Sequence, residues 1–243
     1  MIARLGILLA AIALIAYRAW RLRERGIGIA SALGVSLDRH SIVDVLAGIS
    51  IAALSLSIIF LLEWSTQLLT VQGIGQSTSL ITDISTPIVV AFVEECVFRL
   101  AFLGALLLWT SVPWAIAIST AAFAGAHVAN QHVTVLAMCG YIVGGISYGM
   151  AFVKTGRLWL PFGLHFGWNY AEGRLLGFSV SGGPVPDPFV LQYDSGPALL
   201  TGGDYGLEGG LVGLAARFIL LALLLAWLYR KHEMIENIRK ISS

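Results

Sequence analysis

Seven mostly apolar stretches follow one another along this chain, at 5–20, 42–62, 87–109, 112–128, 133–153, 158–171 and 211–229. A helix that crosses the hydrocarbon core of a bilayer needs about 20 such residues. The reading is therefore an all-α, polytopic membrane bundle of about seven transmembrane helices, six to eight once the short first and sixth stretches are allowed for. Composition excludes the alternatives. Of 243 residues 57% are hydrophobic and 12% charged, whereas a soluble domain carries about 25% charged. A soluble chain of this length would have to bury nearly every apolar side chain, which surface-to-volume scaling forbids. A formal net charge of +1 offers no basic face, so nucleic acid is not the partner. Cys96 and Cys139, both in apolar runs, form neither a disulfide framework nor a zinc knuckle.

Charge outside the spans sets orientation. Arg18, Arg21, Arg23, Arg25, Arg39, Lys154, Arg157, Arg230, Lys231, Arg239 and Lys240 thread to one side, Arg4 and Arg174 to the other. By the positive-inside rule the C-terminus is cytoplasmic. The short first stretch could be a cleaved signal peptide; the arginines that follow it favour an uncleaved anchor with its N-terminus outside. The segment 172–210 differs in composition, with Pro184, Pro186, Pro188 and Pro197 and many glycines. Too apolar for a free linker, it reads as a loop over the non-cytoplasmic mouth of the bundle. The chain divides into an N-terminal two-helix part (1–85), a core with its outer loop (86–214), and a final helix with a basic tail (211–243).

The anomaly is Val93-Glu94-Glu95-Cys96-Val97-Phe98-Arg99, in mid-span. An ionised side chain near mid-bilayer costs about 2.5–3.5 kcal/mol. Glu95 and Arg99, at i and i+4, share a face and can neutralise each other; Glu94 is turned about 100° away and has no partner in its own helix. Two other spans carry imidazoles. Phe123 and His127 lie one turn apart in a run of Ala and Gly that admits a close neighbour, and His165 and Asn169 repeat the i, i+4 spacing. His40 and His132, beside loops, and His232, in the tail, read as solvated or interfacial. A structural Glu–Arg clamp and interhelical hydrogen bonds would explain each feature singly. Together, a carboxylate, two imidazoles and a carboxamide in a low-dielectric pocket suit hydrolysis: the carboxylate takes a proton from water, and imidazole and amide donors stabilise an oxyanion.

In this order on successive apolar segments, Glu94-Glu95-x-x-x-Arg99, Phe123-x-x-x-His127 and His165-x-x-x-Asn169 resemble the three motifs of the CPBP family. These are the CAAX prenyl endopeptidases and bacteriocin-processing intramembrane proteases, also called Abi. The stretches 158–169, 177–182 and 201–208 resemble its bacterial members, and the likeness covers roughly 86–214. It implies that Glu94 activates water, His127 orients it, His165 and Asn169 form the oxyanion site, and Glu95 and Arg99 support them. It also implies a membrane-associated protein or peptide as substrate and a bacterial inner or plasma membrane as location. Glu94, His127 and His165 could supply three ligands to a catalytic zinc, but no His-Glu-x-x-His pair strengthens that reading; a metal-free, glutamate-activated water is preferred. Bacterial-like motifs and an outer-face site favour a non-prenylated substrate. Oligomeric state is not legible. A proton- or ion-coupled transporter, using the same Glu and His residues as a relay, and a non-enzymatic membrane scaffold are the competing functions. No inverted repeat supports the transporter. On the fifth span, Gly140-x-x-x-Gly144 and Gly145-x-x-x-Gly149 offer close packing.

Overall fold

Each apolar segment folds as a helix. A computed structural model describes residues 2–24, 28–75, 80–184 and 187–242; Arg25 and Pro186 lie outside them, as do the side chains of Arg4, His232, Arg239 and Lys240. In chain order come α1 (Ile2–Arg23), α2 (Ile29–Leu33), α3 (Arg39–Ser65), β1 (Leu69–Ile74) and α4 (Leu80–Glu95). α4 continues as a π-helix, Cys96–Leu103, into the single turn α5 (Gly104–Leu106). Then follow α6 (Val112–Ala126), α7 (Val135–Thr155), α8 (Trp159–Asn169) with a π-turn over Tyr170–Leu175, β2 (Val190–Asp194), α9 (Ala198–Thr201) and α10 (Leu211–Ser242). Among the described residues, Arg39–Ser65, Val135–Thr155 and Leu211–Lys231 are each long and apolar enough to cross a membrane alone. Their faces are sorted for lipid: α3 exposes Leu46, Leu54 and Leu61 and buries Asp44, Ser55 and Glu63. In hydrocarbon it is the polar group that needs a protein partner.

Three boundaries and one pair of strands differ from the sequence reading. The third helix starts at Leu80, so Pro87 sits inside it; the missing N–H is tolerated in a membrane helix whose freed groups find other partners. The fourth ends at Ala126, which makes His127 its C-cap, not a mid-helix residue. The last helix runs on through the basic tail to Ser242. A two-stranded sheet was not foreseen. β1 and β2 pair antiparallel, with Leu69 opposite Asp194 and Ile74 opposite Val190, and so tie the loop after α3 to the loop after α8. No short-range pattern announces strands that meet across 120 residues and an irregularity between Val71 and Gly73.

Glycine sets the closest approaches. α8 runs beside α3 with Gly163 against Val45 and Gly167 against Ile49, while Gly48 of α3 faces Leu164. α7 carries two glycine faces, as the spacing suggested. Gly140 and Gly144 admit Arg217 of α10, and Gly145 and Gly149 admit Thr120 and Ile116 of α6. The π-helix leaves carbonyls out of register, and side chains meet them: Arg18 donates to Leu100 O at 3.2 Å and Ser119 to Phe98 O at 2.9 Å. At the end where α3 begins, Asp38 caps it by accepting from Ser41 N at 3.0 Å and receives Arg157 at 2.7 and 2.8 Å. One turn further in, Lys231 of α10 reaches the buried Asp44 at 2.7 Å.

Candidate active site

Glu94 and Glu95 end α4 and therefore point to different sides. Glu95 turns inward and is fully buried. Its Oε1 accepts from Arg99 at 3.1 Å, the pair expected from the i, i+4 spacing, and also lies 2.9 Å from His165 Nδ1. Arg99, equally buried, lies over the ring of Phe123 at 4.4 Å. Phe123 packs against both imidazoles, 4.8 Å from His127 and edge-on at 6.0 Å from His165.

Glu94 turns the other way, keeps 28% exposure, and sits between the histidines: its Oε2 is 3.9 Å from His127 Nε2 and 3.8 Å from His165 Nε2. The three groups face a cavity of about 820 Å³, also lined by Asn169. The residues singled out from sequence thus converge, from α4, α6 and α8, on one point. His40 and His132 are exposed, as expected.

The imidazoles differ in what holds them. His127 Nδ1 lies 2.8 Å from Phe123 O. A carbonyl only accepts, so Nδ1 carries a proton, and in the neutral ring Nε2 then presents a lone pair to the cavity. His165 Nδ1 faces a carboxylate, a partner that also stabilises an imidazolium. Both rings are backed by tyrosines of α7: His127 stacks on Tyr141 at 4.1 Å and 27°, His165 on Tyr148 at 5.2 Å and 16°.

A second buried cluster adjoins the first. Glu208, in the outer loop, accepts from Trp168 Nε1 at 3.0 Å and pairs with Arg217 of α10; both members line the cavity. Neither residue was among the candidates read from the sequence, although Arg217 lies inside the last apolar stretch. The signal was there, since a lone intramembrane arginine requires a counter-charge.

Glu94, His127 and His165 offer the carboxylate and imidazole donors of a catalytic zinc site, with two open edges of 3.8 and 3.9 Å. Bonds of about 2.0–2.1 Å in tetrahedral geometry need edges near 3.3 Å, shorter than these, and among the described residues no group of three His, Cys, Asp or Glu side chains is placed to hold a metal ion. The contact of His165 with Glu95 would serve a ligand histidine and an oxyanion-binding one alike.

Residues 76–171 match the family described as Rce1-like, type II CAAX prenyl endopeptidase Rce1-like. The match spans all three motifs and bears out the resemblance to the CPBP and CAAX protease family. At family level that segment is similar to CAAX-type intramembrane endopeptidases. No curated protein and no solved structure matches the chain.

Proposed function

We propose that the protein hydrolyses a peptide bond of a membrane-associated protein or peptide, with Glu94 as the base. The observation that carries this reading is the placement of Glu94 Oε2 3.8–3.9 Å from two imidazole nitrogens, at the wall of an 820 Å³ cavity. A water between them gives one proton to Glu94 and hydrogen-bonds its other to His127 Nε2, so its oxygen lone pair points at the scissile carbonyl. Attack forms the C–O bond and moves the carbonyl electrons onto oxygen. His165 and Asn169 stabilise that oxyanion. Collapse then breaks the C–N bond, and Glu94 returns its proton to the leaving amine, releasing a carboxylic acid and an amine.

For His165 to donate from Nε2 while Nδ1 faces Glu95, the ring must be an imidazolium. Charge arithmetic favours that state: Glu94 and Glu95 contribute −2, and Arg99 and His165 contribute +2. An electroneutral cluster is what a low-dielectric site tolerates. We place the cavity at the non-cytoplasmic side and the C-terminus in the cytoplasm, on the arginine and lysine distribution. We also favour a non-prenylated substrate and a water activated without metal.

Comparison of protein termini in cells carrying the wild type or Glu94→Ala tests the reaction. A set of new termini should disappear with the variant, since loss of a general base costs about 10²–10⁴-fold in rate. Unchanged termini in both Glu94→Ala and His127→Ala cells would defeat the proposal. With purified protein and a peptide spanning an identified cleavage site, 1,10-phenanthroline should leave cleavage intact; loss by chelation and recovery on adding zinc would replace the free water by a metal-bound one.

A further inference from the structure

The site's two histidines rest on two tyrosines, and the hydroxyls of both tyrosines reach one ion pair. Arg217 donates to Tyr148 Oη at 2.8 Å, and Tyr148 is the ring beneath His165. Tyr141, the ring beneath His127, has its hydroxyl 3.3 Å from Glu208, 2.9 Å from Ser181 Oγ and against Tyr205 Oη, and Ser181 Oγ in turn donates to Glu208 at 3.3 Å. Glu208 and Arg217 bond directly to each other and are 5% and 4% exposed. Further contacts hold the pair in place: Arg217 lies 3.5 Å over the Trp168 ring, and Ser181 N donates to Glu208 at 3.2 Å.

Stability alone does not account for such a pair. A buried ion pair replaced by apolar groups of similar volume is often neutral or stabilising, and the surroundings are membrane helices. What an ion pair does that two leucines cannot is fix the hydroxyl ends of two tyrosines, and hence the planes of their rings. An imidazole on a fixed ring loses freedom about χ2, the torsion that aims Nε2 at Glu94.

We propose that the Glu208–Arg217 pair positions both imidazoles, holding Tyr141 beneath His127 and Tyr148 beneath His165. This rests on reading His127 and His165 as the catalytic pair. Neither Glu208 nor Arg217 takes part in bond-making; they act through the tyrosines. A misplacement of about 1 Å at a reacting group costs about 10²-fold in rate, so the pair governs turnover from outside the chemistry.

The test uses the full-length protein in detergent micelles with its five histidines isotope-labelled, His127 and His165 being assigned by His→Gln variants. Stacking on tyrosine should displace both ring-proton signals upfield. Single substitutions such as Glu208→Ala leave a buried charge unpaired and can simply unfold the protein. The informative variant is therefore Glu208→Gln/Arg217→Met, which removes both charges at nearly constant volume. It should keep its melting temperature, lose the upfield displacement of both histidines, and form the Glu94-dependent termini about 10²-fold more slowly. Tyr148→Phe, which keeps the ring but not the hydroxyl, should loosen His165 and leave His127 in place. If the double variant folds with both histidine signals unmoved, the pair is only structural and the inference fails. Because the spectra are read without substrate, that outcome is separate from failure of the hydrolytic reading, which unchanged termini in Glu94→Ala cells would reveal.

Discussion

Gly167 lies between His165 and Asn169 on the face of α8 that meets α3. A Cβ added there would stand 2.7 Å from Ile49 Cα and 3.3 Å from Ala52 Cβ. Carbon atoms rest at about 3.5–4.0 Å, so Gly167→Ala forces the two backbones about 0.8 Å apart. The obstacle is main chain, which no rotamer change relieves. Overpacking of this kind costs about 1–3 kcal/mol. Carried to His165, the same displacement takes its 2.9 Å contact with Glu95 outside the 2.7–3.2 Å range of a good hydrogen bond. We therefore expect a folded protein whose Glu94-dependent termini form about 10²-fold more slowly, with a melting temperature lowered by a few degrees. Thermal denaturation in micelles reads the second quantity and quantitative terminal proteomics the first. Gly125→Ala is the matched control: it lies on the helix that ends at His127, yet its Cβ would meet nothing within 4 Å. It should gain up to about 1 kcal/mol from helix propensity and keep full activity. If Gly167→Ala cleaves within twofold of wild type, the approach of α8 to α3 does not set the position of His165.

Arg99→Met should cost about 3–5 kcal/mol by removing the arginine of the buried Glu95–Arg99 pair and leaving His165 alone beside that carboxylate, and Glu95→Gln/Arg99→Met should recover most of it; unfolding followed by a thiol-reactive dye on the half-buried Cys96 and Cys139 measures both. Arg157 holds the Asp38 carboxyl well below the usual carboxylate range, chiefly by hydrogen bonding. A depressed folded-state value means that this contact stabilises fully above the unfolded value of about 3.9 and progressively less as pH falls below it towards the folded value. The melting-temperature gap between wild type and Asp38→Asn should thus be widest near neutrality and narrow below pH 4; a gap that widens with acid would contradict the sign. Thr134 accepts from Ala137 N at 3.0 Å as the cap of α7 and donates to Gly209 O at 2.8 Å. Thr134→Ala should destabilise by about 1–2 kcal/mol, read as a shift in denaturation midpoint.

Most of the site was legible because its groups are costly where they stand. A carboxylate or imidazole inside an apolar run must be explained, and one-turn spacings supply the geometry directly: Glu95 with Arg99, Phe123 with His127, His165 with Asn169. Tyr141 and Tyr148 were missed because an amphipathic aromatic in a membrane helix raises no alarm. Glu208 was missed for a different reason. It lies in a glycine-rich loop where a charged residue looks solvated, and its burial depends on how that loop folds back over the bundle. The π-helix after Glu95 has no compositional signature at all; its loosened carbonyls are met by Arg18 and Ser119, from elsewhere in the chain.

Tyr141 and Tyr148 are seven residues apart, two turns of a single helix, about 10.5 Å along its axis. The two imidazoles come from different helices, yet both are backed by this one rod. α7 therefore serves as a common platform for both rings, and its two turns fix the separation of the tyrosines on which they lie.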